Sequence, residues 1–380
     1  MIKSLPLGDV AKFVRGITFK PDDVCENFTK DSTVCMRTKN VQATIDTEDL
    51  ISVPSSFVRR AEQKVQFGDL LVSSANSWNL VGKACWVPEL SYETTAGGFI
   101  SILRCNRNTV EPRYFYHWVT SGRTQHELRY CGRQTTNISN LDFDRALALP
   151  IPLPYKNGKP DLDEQKRIAA ILDKADGIRR KRQQALRLTD DFLRSVFLDM
   201  FGDPVTNPKN LPKIALGDLL KVKSGSGLTA KNMAHNGTFP VYGGNGINGY
   251  HDKFLFEKRM ITLGRVGAYC GAVHYTEPFS WITDNALYVE HMKCPMNAVF
   301  LVDSLRFANL NQYAGQVGQP LISGNRIYPV KILNPSIAQQ DKYSEIVEKW
   351  QGNKEQNRSS SKHNENLFAS LQQRAFRGEL

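Results

Sequence analysis

Apolar residues between Asp163 and Met200 recur on a heptad spacing: Ile168, Ile171, Ala175 and Ile178, then Ala185, Phe192 and Val196. The stretch holds no proline and one glycine. Pro160 precedes it, Asp161 or Asp163 caps its start, and Gly202 and Pro204 stop it. The spacing predicts one helix on the order of 57 Å long, at a rise of 1.5 Å per residue. That is too long for an ordinary core helix and suits a spacer whose apolar face needs a partner.

A second copy of the pattern runs from Ile337 to Gly378, displaced by 175 residues. EQKRIAAIL at Glu164 matches QQDKYSEIV at Gln339, and FLRSVFLDMFG matches LFASLQQRAFRG. The displacement is a multiple of seven, so the seam keeps register through Tyr343, Ile346, Trp350, Leu367 and Leu371. Its middle is polar: Gly352, Asn353, Asn357, Ser360 and Asn364 stand where apolar residues are wanted, and a helical glycine costs about 1 kcal/mol relative to alanine. Two unrelated amphipathic helices would explain the ends alone, but the rest of the chain repeats too.

LPLGDVAKFVRGITF at Leu5 is echoed by IALGDLLKVKSGSGL at Ile214. Short β-rich runs with turn residues between them follow in each half: DLLVSSANSWNLVGKACWV at Asp69 and GGFISILRC at Gly97, then MITLGRVGAYCGAVHY at Met260 and NALYVEHM at Asn285. Pro112 and Pro295 each precede a helical run and suit a first helical turn. Each run leads into a polar loop, GRQTTNIS at Gly132 and GQVGQPLIS at Gly315, and then a proline-bearing exit. The expected class is α+β: a β-rich domain over 1–155, a long helix within 156–203, a second β-rich domain over 204–335 and a second long helix within 336–380. Two copies of one plan with helices able to pair suggest a pseudo-twofold molecule. Matched folds with diverged loops suit reading two different things.

Composition narrows the class. The mean hydropathy is −0.39 and no apolar run approaches the ~18 residues of a membrane span. The start, MIKSLPLGDV, lacks a signal-peptide core. Seven scattered cysteines without a C-x-x-C pair read as reduced thiols of a cytoplasmic protein rather than a zinc site or disulfide framework. The net charge of +11 points to a polyanionic partner.

Motifs for catalysis are missing. Gly244-Asn-Gly246-Ile-Asn-Gly249 fits G-x-G-x-x-G, but a strand-like run follows where a dinucleotide site needs a helix. Pro160-Asp161 with Glu164-Gln-Lys166 is too tightly spaced for a nuclease set and reads as capping charge. There is no phosphate-binding P-loop, no H-E-x-x-H and no Asn/Asp-Pro-Pro-aromatic methyltransferase tetrapeptide, and the seven histidines show no metal-ligand pairing. No catalytic residue, metal ligand or cofactor site is assigned.

A nucleic-acid signal is present. Between Arg104 and Arg133 lie six arginines against two acids, interleaved with Tyr114, Tyr116, Trp118 and Tyr130. Arginine bonds phosphates, or a guanine edge in bidentate fashion. The candidate readers are Arg104, Arg107, Arg123, Arg133, Gln134, Thr135, Thr136 and Asn137 in the first half. In the second they are Tyr242, Asn245, Asn248, Tyr250, Arg265, Gln316, Gln319, Asn325 and Arg326. The competing structural reading makes some of these aromatics core and some arginines a solvated face. Arg179-Arg-Lys-Arg182 on the long helix reads as a solvated or partner-facing surface.

With its EQKRIA segment, the FPVYGGNG segment at Phe239 and the ending AFRGEL, the chain resembles the specificity (S) subunit of type I restriction–modification systems over essentially its full length. The resemblance implies two target recognition domains, each reading one half of a bipartite, asymmetric sequence in double-stranded DNA. It implies two helices paired antiparallel that set the half-site spacing. It also implies no catalytic activity and docking of two methyltransferase (M) subunits that carry S-adenosylmethionine, with restriction (R) translocase–nuclease subunits completing the complex. Two other readings are a relative of the fused restriction–methylation enzymes with a cryptic active site, and a scaffold whose domains bind protein.

Overall fold

The computed structural model describes residues 1–380 apart from 135–137, 235–236 and 316–319 and, inside the long helices, the side chains of Asp190, Gln351, 353–359 and Lys362. Thr135, Thr136, Asn137, Gln316 and Gln319 therefore lie outside the described residues. The chain divides into two compact units, residues 1–183 with 359–380 and residues 184–358.

The strands of the first unit are β1 (Ile2–Pro6), β2 (Ala11–Arg15), β3 (Ser32–Met36), β4 (Ile51–Pro54), β5 (Leu70–Ser73), β6 (Ala75–Asn76), β7 (Ala84–Trp86), β8 (Thr94–Ala96), β9 (Ile100–Cys105), β10 (Gly132–Gln134), β11 (Ser139–Leu141), β12 (Pro150–Lys156) and β13 (Lys159–Pro160). Its helices are α1 (Pro112–Val119), α2 (Gly122–Tyr130), α3 (Phe143–Leu147) and the first part of α4 (Leu162–Phe201). The sheets run β2-β9-β5-β7, β4-β3-β8, β10-β11-β6 and β1-β12-β13. All four residues of β5, Leu-Leu-Val-Ser, are buried, which accounts for a continuous apolar run in place of an alternating one.

The second unit repeats this plan. It holds β14 (Lys213–Ala215), β15 (Leu220–Ser224), β16 (Phe239–Gly243), β17 (Gly246–His251), β18 (Ile261–Gly264), β19 (Val273–Tyr275), β20 (Trp281–Ile282), β21 (Ala286–Met292) and β22 (Lys331–Leu333). With them lie α5 (Leu216–Leu219), α6 (Ala298–Phe307), α7 (Gly324–Ile327) and the first part of α8 (Ile337–Arg377). The order β15-β21-β18-β19 copies β2-β9-β5-β7, and β17-β16-β20 copies β4-β3-β8. In each three-stranded sheet the pair β3–β8 or β16–β20 is parallel.

Shared residues mark the repeat. The Leu7 N–H donates to the Leu149 carbonyl at 2.8 Å, and the Leu216 N–H to the Val330 carbonyl at 2.9 Å. A Cβ at Gly16 would stand 2.3 Å from the Gly97 carbonyl oxygen, and one at Gly225 would stand 2.3 Å from the Ile282 and Thr283 oxygens. These two glycines are required by close backbone approach.

The glutamine of each EQKR-like segment locks a long helix to its unit. Gln165 is fully buried; its Oε1 accepts from the Glu111 N–H at 2.9 Å and its Nε2 donates to the Thr109 carbonyl at 3.2 Å. Gln340, also fully buried, accepts from the Asn297 N–H at 2.9 Å and donates to the Pro335 carbonyl at 2.8 Å. Glu111 and Asn297 are themselves the N-caps of α1 and α6. This corrects the expected equivalence of the prolines. Pro112 is the first residue of α1, whereas α6 starts at Ala298 behind Asn297, leaving Pro295 outside the helix.

The helix starts and stops follow the sequence. Asp161 Oδ1 accepts from the Glu164 N–H at 3.1 Å, while Asp163 makes only a 3.7 Å pair with Lys166. Gly202 and Gly378, at φ +76° and +78°, end the two helices in left-handed conformation.

The seam differs from the heptad. In the first unit the buried face of α4 is Gln165, Ile168, Ala169, Leu172 and Asp176, facing Ala375 and partly buried Phe368 and Leu371 of α8. Ile171 and Ala175 are half-buried, and Ile178 is 58% exposed and Leu367 50% exposed. These last two are therefore not pairing residues. The polar stretch of α8 is met by polar contacts: Arg182 donates to Ser360 Oγ, and Gln183 Nε2 to Glu365 Oε1 at 3.0 Å. In the second unit Phe197, Phe201, Phe300, Tyr343 and Val347 form the buried cluster, with Val196 at its margin and Ile346 half-buried. Phe192 and Trp350 meet as a tilted ring pair with centroids 4.7 Å apart on its exposed side.

Candidate nucleic-acid interface

In the first unit the polar loop predicted at Gly132 is bounded by the hairpin β10–β11, whose register pairs Arg133 with Asn140 and Gln134 with Ser139. The hairpin extends β6, pairing Ser139 with Asn76. A Cβ at Gly132 would lie 2.5 Å from Ser139 Oγ and 3.0 Å from the Arg129 carbonyl oxygen, so a side chain there would have to displace the Ser139 hydroxyl. Arg133 is 78% exposed yet anchored: its Nε donates to Asp142 Oδ2 at 2.8 Å. The Asp142 carboxyl sits below the usual range because the Arg145 backbone N–H, and then Arg133, bond its charged form. Gln134 is exposed beside it. Tyr130, 57% exposed, stands edge-on to Trp78 at 5.5 Å and tilts against His126 at 4.7 Å. The surface thus joins a fixed guanidinium, amides at Gln134 and Asn76, and aromatic edges, a set able to bond base edges and stack. Asn76 and Trp78 were missed by sequence reasoning; their signal was a tryptophan in the polar run Ser73 to Asn79.

Other basic and aromatic residues of the arginine-rich stretch serve the fold. Arg104 is bidentate to Asp69 at 2.8 and 2.7 Å, and both side chains are largely buried. Its guanidinium is committed there, which removes it from the readers. Arg107 donates to the Phe67 carbonyl. Tyr114, Tyr116 and Trp118 are core. Arg113 lies over Trp86 and Tyr116 at 4.7 and 4.6 Å and bonds Asp173 of α4, which also takes His117 Nε2 at 2.8 Å. Burial opposes ionisation of Asp173, but the bonds from His117 and Arg113 outweigh it and hold the carboxyl down to about 2. Arg123 is bonded to Glu127 at 3.0 Å and borders a cavity rather than the hairpin.

In the second unit β16 and β17 form a hairpin closed by Gly244-Asn245, with a bulge at Val241–Tyr242. Strand β17 follows the glycine motif where a dinucleotide site would need a helix. Asn245, Asn248 and Tyr250 are exposed along the hairpin. Tyr242 is not: it is 6% exposed, its oxygen accepts from the Glu277 N–H at 3.0 Å, and it packs with Ile282 and Ala286. That corrects its assignment as a reader. Gly244 abuts Gly264 and Val266, and Arg265 between them donates to Ser224 Oγ at 3.0 Å. Gly315 lies against the guanidinium of Arg326, which with Asn325 is exposed on α7. Asn245, Arg265 and Arg326 are thereby brought to one end of the unit.

The two surfaces occupy the same edge of the repeated fold. Just past β5 the Ser74 carbonyl accepts from the Leu141 N–H at 2.8 Å; just past β18 the Arg265 carbonyl accepts from the Ile322 N–H at 2.9 Å. Among the described residues no group of three His, Cys, Asp or Glu side chains could hold a metal ion, and no helix is long and apolar enough to cross a membrane.

Residues 208–359 match the model of the type I restriction modification DNA specificity domain. The chain is similar to type I restriction enzyme specificity subunits. It is 27% identical over 242 residues to the Escherichia coli EcoprrI specificity subunit, covering 58% of this chain and 57% of that one. It is 30% identical over 172 residues to the Salmonella potsdam StySPI specificity subunit, covering 44% of this chain and 35% of that one. The chain thus spans between about a third and just over half of the length of these relatives. A crystal structure of the type I restriction–modification S subunit from M. genitalium matches 99% of the chain and 96% of its own, with TM-score 0.61 at 16% identity, and shows the shared fold.

Proposed function

We propose that the chain is a non-catalytic DNA-recognition subunit, each unit reading one half of a bipartite, asymmetric double-stranded target. The observation that carries this reading is the repeated edge. One backbone scaffold in both units presents different polar and aromatic side chains: Asn76, Trp78, Arg133 and Gln134 in one, Asn245, Arg265, Asn325 and Arg326 in the other. A scaffold held constant under changed donors and acceptors is what reading two sequences requires. Exposed cations of a chain with net charge +11 hold phosphates. The long helices set the half-site spacing and dock two methyltransferase subunits, which carry S-adenosylmethionine; this chain binds no cofactor of its own. Restriction translocase–nuclease subunits complete the assembly.

The test is half-site specificity in the assembled methyltransferase. Gln134→Ala should relax or abolish recognition at one half-site only, and Asn248→Ala at the other, each by roughly 1–3 kcal/mol against the wrong base. Equal loss across both half-sites from either substitution would refute the assignment.

A further inference from the structure

The glycine-rich turn of the β16–β17 hairpin rests on a histidine. Gly246 has φ +88°, and a Cβ there would stand 3.2 Å from Cε1 and 3.4 Å from Nδ1 of His274 on β19. The Gly244 backbone bonds the same ring. A Cβ at Gly243 would stand 1.9 Å from Asn248 Nδ2, so the amide of Asn248 folds back over the turn. Asn245 is exposed within the turn. The pose of both amides therefore follows from where the turn is seated, and one side of that seat is the His274 imidazole.

The ring's surroundings favour its neutral form. Nε2 of His274 is buried and has no hydrogen-bond partner among the described residues. A proton on it would be a buried donor without an acceptor, which folded proteins avoid. Residues 243–249 carry no ionisable side chain, and the residue paired with His274 on β18 is Thr262. The charge acting on the ring is Arg306 of α6, itself paired with Asp303 at 2.8 Å. Burial first, and Arg306 second, hold the imidazole below its ordinary value. A turn lifted into water frees the ring to take a proton, so the lifted turn gains as pH falls below about 6.5.

The first unit lacks this group. Thr262, three residues before Arg265, pairs with His274, whereas Leu71, three residues before Ser74, pairs with Cys85. Cys85 is fully buried, and burial pushes its thiol up to about 12, so it stays uncharged. The turn matching 243–245 is Arg37-Thr38-Lys39, because the Met36 carbonyl accepts from the Gly97 N–H as the Tyr242 carbonyl does from the Thr283 N–H. Arg37 and Lys39 are both held by Asp49.

We propose that His274 is a positioning residue for the hairpin of the second unit, and that a proton on its ring unseats the turn, weakening recognition of one half-site in mild acid while the other is kept. This rests on the reading above, under which Asn245 and Asn248 face DNA.

The experiment measures base discrimination by the full chain assembled with a type I methyltransferase subunit. The probes are labelled duplexes carrying the motif which that assembly methylates, intact or with one base pair changed in either half-site. Gln134→Ala and Asn248→Ala assign the half-sites to the units. Affinities are compared at about pH 7.5 and about pH 5.5, either side of the ordinary histidine value of about 6.5. The wild type should lose discrimination several-fold at the second unit's half-site at the lower pH, and keep it at the first unit's. His274→Ala should lose roughly tenfold there at both values. His274→Gln offers an amide and takes up no proton, so its discrimination should be the same at both. The proposal is overturned by wild-type discrimination that does not change with pH, by an equal fall at both half-sites, or by a fall that persists in His274→Gln. Hydrogen exchange of the wild type, corrected for the intrinsic pH dependence of exchange, keeps the test available if the variants misfold. Peptides covering 239–251 should open several-fold more often at the lower pH, with 32–41 unchanged; unchanged opening of 239–251 overturns the proposal. If neither Gln134→Ala nor Asn248→Ala alters either half-site at either pH, the underlying reading fails, a result distinct from two half-sites read without pH dependence.

Discussion

Replacing Gln165 by leucine should loosen the first unit where α1 meets α4, and the size of the effect can be worked from its two bonds. The side chain is fully buried and satisfies the Glu111 N–H at 2.9 Å and the Thr109 carbonyl at 3.2 Å. Leucine has nearly the same volume, so the cavity contribution is small. What remains is one donor and one acceptor without partners, each costing about 1–3 kcal/mol when buried. Their shared turn relaxes together, giving about 2–4 kcal/mol in all. Hydrogen exchange read by mass spectrometry isolates the effect, because peptides covering 106–119 report the first unit and those covering 297–307 the second. Opening of 106–119 should become about a hundredfold more frequent, with 297–307 unchanged. Gln340→Leu should produce the converse. If 106–119 exchanges as in wild type, the glutamine is not a lock and its recurrence in both copies needs another cause.

Three further outcomes follow from named contacts. Asp173→Asn should cost the first unit about 1 kcal/mol at neutral pH, discounted because Asp173 is 36% exposed. The folded carboxyl is depressed to about 2, so its contribution is present above about pH 4 and lost as pH falls toward 2. Wild-type and variant denaturation curves should converge over that window. Gly225→Ala should unfold the second unit at markedly lower denaturant, since its Cβ would stand 2.3 Å from two carbonyl oxygens, and an unchanged midpoint would refute the close approach. Inserting one helical turn into α4 should change the spacer between the two half-sites in the methylated motif; an unchanged spacer would end the account of the helices as a ruler.

The repeat was legible because Leu-Gly-Asp, Gln165/Gln340 and Gly202/Gly378 do the same backbone work twice. The seam was misplaced by about one position. A heptad supposes that only another helix covers α4, whereas Leu172 and Asp176 are buried in the first unit along with Ile168 and Ala169. A straight helix packed on a domain follows 3.6 rather than 3.5 residues per turn, and the difference carries Ile178 and Leu367 to solvent. The candidate readers were placed correctly at the surface at Gln134, Asn245 and Arg326. They failed where a distant residue decides: Arg104 is taken by Asp69, thirty-five positions earlier. Tyr242 sits on a strand paired on both sides, and its neighbours β17 and β20 are set by tertiary structure that local pattern does not encode.

The most direct test of the central claim is methylation of a genome. The chain is co-expressed with a methyltransferase subunit of a type I system, and methylated adenines are mapped by single-molecule sequencing with and without the chain. The account predicts a bipartite motif with a fixed spacer that disappears when the chain is omitted. Methylation of the same motif in its absence would mean that the methyltransferase reads DNA alone, and the two β-rich units would lose their assigned role.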